Sequence, residues 1–193
     1  MPLARFNCSP ERERGFSLVE VMVASLILTT GVLALAQLFT LSTTANVSSR
    51  YTTYTTVLAG QKMEELRALT WGFDLAGLPV SDTETDTASP DDATTGGTGL
   101  APSPATSLQG NTAGYVDYVD QFGHKLGGGS AAPAGAVYVR RWSVEPLPTN
   151  PNNTLVLQVL VFRLRDRGAA DQNDVARMPD EARLVTVKTR KAR

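Results

Sequence analysis

Gly15-Phe16-Ser17-Leu18-Val19-Glu20 opens a run that continues VMVASLILTTGVLALAQLFTL as far as Leu41, and the reading of this stretch decides the fold. The run is about 26 residues long. At a rise of about 1.5 Å per residue it spans roughly 39 Å as a helix, more than the roughly 30 Å of a bilayer's hydrocarbon core. Its only charge is Glu20. The residues ahead of it, MPLARFNCSPERERG, are polar and carry Arg5, Arg12 and Arg14. A basic start before an apolar helix predicts an N-terminus held in the cytoplasm and a remainder that is exported.

Three readings of the run compete. One is a plain signal anchor. Another is a secretory signal peptide cut after Ala36, with Ala34-Leu35-Ala36 as the small-residue site and Gln37 as the new N-terminus. Against the second, the apolar character continues past that site through Leu38, Phe39 and Leu41. Neither accounts for Glu20, since a carboxylate within the apolar layer costs a few kcal/mol and is usually functional.

The third reading rests on the junction itself. Gly15-Phe16-Ser17-Leu18-Val19-Glu20 resembles the cleavage and N-methylation site of type IV prepilins and of type II secretion pseudopilins. The resemblance implies cleavage by a prepilin peptidase between Gly15 and Phe16 and methylation of the new amine on Phe16. It also implies that Glu20 pairs with the N-terminal ammonium of a neighbouring subunit. The implied partners are other pilins through the N-terminal helix, the peptidase, the inner-membrane assembly platform and the membrane itself. The implied location is a single pass of the inner membrane with a periplasmic head, followed by incorporation into an extracellular pilus. Many major pilins close a C-terminal loop with a disulfide. The only cysteine here, Cys8, lies in the leader, so the mature chain would contain none, which points away from a major pilin. The residues before Cys8, LARFN, lack the apolar run of a lipoprotein site. Gly31 stands in the apolar half, where many pilins carry a proline.

Beyond Leu41 the pattern becomes one-sided. Val47, Tyr51, Tyr54 and Leu58 recur at spacings of four, three and four, and Ala59, Met63 and Leu66 form an adjacent stripe. The helix is therefore expected to run from about 16 to 71, with 16–41 as its membrane or filament-core half and 42–72 as its amphipathic half. Glu64, Glu65 and Arg67 fall in the last turns, and Gly72 and then Gly77-Leu78-Pro79 end it. Residues 77–114, rich in Gly, Pro, Thr, Ser and Asp, read as a flexible surface loop that buries little apolar area. Asn46-Val47-Ser48 fits a glycosylation pattern by chance, since it sits on the helix.

The remaining residues, 115–193, read as a sheet. Strands are expected at Tyr115–Asp120, at Lys125-Leu126 after the turn 121–124, at Ala136–Val144, at Thr154–Arg165 and at Arg183–Thr189. The fourth is apolar on both faces, as a central strand is. One long helix on a small, mainly antiparallel sheet makes the fold class α+β.

Chemistry is sparse. The formal net charge is −1, and there is one histidine beside the one cysteine. That balance exerts no general pull on nucleic acid, and a Cys/His metal site lacks ligands. Asp117 and Asp120 lack the dense oxygen ligands of a calcium loop and read as two solvated turn acids. His124 reads as a surface histidine. Lys188, Arg190, Lys191 and Arg193 read as a solvated chain end. No catalytic constellation, cofactor site or metal site is expected. Gln61-Lys62-Met63-Glu64-Glu65-Leu66-Arg67 and the later VYVRRW and LVLQVLVF resemble PilV-type minor pilins, which prime assembly or sit at the filament tip. A minor pseudopilin of type II secretion shares the leader and stem. A secreted binding protein released after Ala36 is the alternative of another class.

Overall fold

The computed structural model describes residues 15–90, 94–164 and 180–190. The leader residues Arg5, Cys8, Arg12 and Arg14, the strand end at Arg165, and Lys191 and Arg193 lie outside the described residues. The chain divides into two compact units, 1–46 and 47–193. Helix α1, Leu18–Ala68, contributes to both. In the first unit its side chains are all exposed.

The second unit is built on a five-stranded antiparallel sheet. In chain order the strands are β1 (Trp71–Phe73), β2 (Pro79–Ser81), β3 (Thr85–Asp86), β4 (Thr94–Thr95), β5 (Val116–Val119), β6 (Lys125–Gly128), β7 (Tyr138–Pro146), β8 (Thr154–Arg163) and β9 (Ala182–Thr189). The main sheet runs β6-β5-β7-β8-β9, while β1 pairs with β2 and β3 with β4 as separate ribbons. This is the expected α+β arrangement of a long helix packed against antiparallel strands.

Side chains alternate between the two faces of each strand. On one face Tyr138, Trp142 and Val144 of β7 join Leu155, Leu157, Val159 and Val161 of β8, and Leu58, Ala59, Met63 and Leu66 of α1 pack into them. On the other, Val116, Tyr118, Val139, Leu160 and Phe162 form a second cluster with Leu108 at its margin. The loop around Leu108 covers that face. Arg141 fixes it by donating to the carbonyls of Leu108 and Gln109 and to Asn111 Oδ1. Both faces of β7 and β8 are thus covered, which explains their near-continuous apolar sequences.

Helix α1 stops at Ala68, not at residue 71, because Trp71 is already paired with Ser81 in the β1–β2 ribbon. Lys188 of β9 donates to the carbonyls of Leu66, Arg67 and Leu69, satisfying acceptors that a helix end leaves open. Arg190 lies 3.6 Å over the Trp71 ring and donates to the carbonyls of Gly72, Val80 and Asn152. The reading of these two as a solvated chain end is corrected: both are built into the fold.

The segment 77–114 contributes Ala88 and Leu100 to the first cluster. A Cβ at Gly97 would collide with the Asp86 backbone, so the glycine there is a condition of the close approach of β3 and β4.

Candidate functional site: the N-terminal junction and the helix anchor

Gly15, Phe16 and Ser17 precede the helix, and the Ser17 carbonyl accepts the Val21 N–H at 3.1 Å. That makes Ser17 the N-cap and places Glu20 in the first turn. A carboxylate there meets the positive end of the helix dipole. Phe16 is 83 % exposed. The hydroxyls along the run do not stay open: Ser25 donates to Val21 O, Thr29 to Ser25 O, Thr30 to Leu26 O and Thr40 to Ala36 O. In an apolar medium every polar group needs an internal partner, and these groups have one. Glu20 is left as the only charged group of the stretch, four residues from Phe16. The helix passes through Ala34–Ala36 without a break and is long and apolar enough to cross a membrane.

A second constellation lies in the other unit and was not anticipated. Lys62 falls on the buried stripe, four residues from both Leu58 and Leu66, and is fully buried. Its ammonium donates to the Thr87 carbonyl at 2.6 Å and to Asp117 Oδ2 at 3.0 Å, and sits 3.8 Å from the centre of the Trp142 ring. Arg140 grips the same carboxylate with two bonds of 2.7 Å, Nε to Oδ1 and Nη2 to Oδ2. Glu65 lies 3.3 Å from Lys62 and is bridged at 2.8 Å by Lys125. A cluster that is buried at Lys62, Asp117 and Arg140 and partly exposed at Glu65 and Lys125 therefore ties the helix to β5, β6, β7 and the backbone at Thr87.

Burial pushes the Asp117 carboxyl up, but Lys62 and Arg140 more than offset this and hold it below the usual carboxylate range. Burial pulls Lys62 down, and the attraction of Asp117 does not make up the difference. Burial also lowers Arg140, yet Asp117 carries it above its ordinary value. The bidentate fork explains the asymmetry: Arg140 satisfies the carboxylate first, and Lys62 is the surplus cation.

The reading of Asp117 as a solvated turn acid is corrected, since it is fully buried and both its oxygens are engaged. Its side chain faces α1, and Asp120 instead accepts from the N–H groups of Phe122 and His124 in the hairpin turn. His124 is exposed, with Nδ1 3.0 Å from Asp120 Oδ2. The signal available in the sequence was a charge at an inward position of each element: Lys62 between Leu58 and Leu66, Asp117 between Tyr115 and Val119, and Arg140 between Tyr138 and Trp142.

Comparison with protein families finds the prokaryotic N-terminal methylation motif at residues 11–36. The chain therefore carries a motif of the type IV prepilin kind, and that motif implies processing by a prepilin peptidase and association with other pilins. No curated protein matches the chain, and no solved structure does.

Proposed function

We propose that the chain is a minor pilin of the type IV pilus, of the PilV-like kind, that acts as a structural subunit in priming or tipping the filament and not as an enzyme. The observation that carries this reading is the methylation motif running without interruption into an apolar helix whose one charge is Glu20. The prepilin peptidase cuts between Gly15 and Phe16, and the Phe16 amine is methylated. The new ammonium keeps its charge on methylation. The Glu20 carboxylate of one subunit pairs with the Phe16 ammonium of a neighbour, which offsets the cost of holding a carboxylate in an apolar bundle. Until assembly, the helix anchors the subunit in the inner membrane with the sheet-bearing unit in the periplasm.

The continuous helix through Ala36 supports this reading over release by a signal peptidase, because that cut would divide the helix. Intact-mass measurement and N-terminal sequencing of protein from the native host test it. The expected product begins at N-methyl-Phe16 and is recovered with sheared pili. A product beginning at Gln37 overturns the proposal.

A further inference from the structure

Within the second unit a groove of about 410 Å³ is lined by Val47, Arg50, Tyr51, Tyr54, Gln121, Val137, Tyr138 and Arg163. Its walls are aromatic. Tyr54 and Tyr138 stack with ring centres 6.0 Å apart, and the Arg163 guanidinium lies 3.7 Å over the Tyr51 ring. Among the described residues two guanidinium groups border it and no carboxylate does. Among the described residues Arg50 makes no ion pair, and Arg163 Nε is covered with no hydrogen-bond acceptor. A covered donor without an acceptor is a standing cost, and an arginine fork is shaped for a carboxylate. Burial pushes the Tyr138 hydroxyl up, while Arg163 and Arg50 pull it back, so both cations act on the same wall. At the neighbouring hairpin tip Phe122 is 69 % exposed. Arginine with exposed tyrosine and phenylalanine is the composition of protein-interface centres.

We propose that this groove docks a carboxylate-bearing segment of another protein chain, with Arg50 and Arg163 receiving an aspartate or glutamate side chain and the tyrosines packing along its stem. Charge complementarity selects the occupant: among the described residues the groove holds two positive charges with no paired carboxylate, in a recess sized for a side chain or two. Identifying that chain as a neighbouring filament subunit rests on the function proposed above; the groove's chemistry does not.

The test uses the full chain in its native host, with a photo-crosslinking benzoylphenylalanine in place of Gln121 and mass spectrometry of the adducts. The expected adduct is a peptide containing Asp or Glu from another pilin-like chain. Arg50→Glu should lower its yield about tenfold. Arg50 is exposed and makes no ion pair among the described residues, so this variant retains the fold. Arg163→Gln should give a similar loss, and Arg replacing the partner's mapped acid should restore the adduct of Arg50→Glu. Adducts with lipid alone, a mapped peptide without an acid, or a yield unchanged by Arg50→Glu would overturn the proposal. An acid-bearing adduct from a chain unrelated to pilins would uphold the groove while counting against the filament reading.

Discussion

Replacing Asp117 by Asn should destabilise the second unit far more than replacing Lys62 by Met, although the two residues form one ion pair. Asp117→Asn keeps the shape but leaves Lys62 and Arg140 as buried cations with no compensating carboxylate at their centre. Breaking a buried pair by removing one partner typically costs about 3–5 kcal/mol, and here two cations are stranded, so the upper part of that range applies. Lys62→Met removes the surplus cation. Asp117 retains the Arg140 fork, the helix loses its bonds to the Thr87 carbonyl and to Asp117, worth about 1 kcal/mol each, and relief of the buried ammonium offsets part of that. The expected cost is about 1–2 kcal/mol. Urea unfolding of the full chain in mild detergent, followed by tryptophan emission, gives both values. Trp142 reports locally because it lies against the Lys62 ammonium. If Asp117→Asn costs less than Lys62→Met, the assignment of Lys62 as the surplus charge is wrong.

Acid should unfold the second unit only below the ordinary carboxylate range. The depressed Asp117 and Asp82 carboxyls contribute stability that is complete above their unfolded value of about 3.9 and is lost as pH falls through their folded values. Circular dichroism against pH would check this, and unfolding that begins near pH 5 would contradict it. Glu20→Ala and Glu20→Gln should both be cleaved and inserted, with insertion slightly easier, yet fail to enter filaments; immunoblots of membrane and sheared-pilus fractions separate these steps, and normal incorporation of both removes the proposed role of Glu20. Lys188→Ala frees three carbonyls at the helix end and should cost about 1–2 kcal/mol in urea unfolding, whereas no measurable loss would mean water serves those acceptors as well. Gly97→Ala should shift the thermal transition down, since its Cβ meets backbone and not a movable side chain; an unchanged transition would show that the β3–β4 ribbon opens freely.

The sequence by itself determined what depends on local pattern. The switch from polar to apolar at Gly15-Phe16, the single Glu20 and the change from all-round to one-sided hydrophobicity near residue 42 specify a long helix that opens within the methylation motif. The alternation and flanking turns of the later strands located β5 to β9 to within a few residues, because a period of two is a property of neighbouring positions. Only the tertiary structure decided where the charges go. Lys62, Asp117 and Arg140 are far apart in the chain, and each alone is a charge at an inward position with no partner visible nearby; they become one buried cluster because α1 crosses β5 and β7 at those positions. Lys188 and Arg190 likewise gained partners from the helix end and the β1–β2 ribbon, not from their own neighbours. The same holds for Gly97 and Leu100, whose segment has the composition of a loop yet supplies a close backbone contact and a core side chain. Composition measures what a segment can bury on average, whereas one glycine or one leucine is placed by the surface it meets.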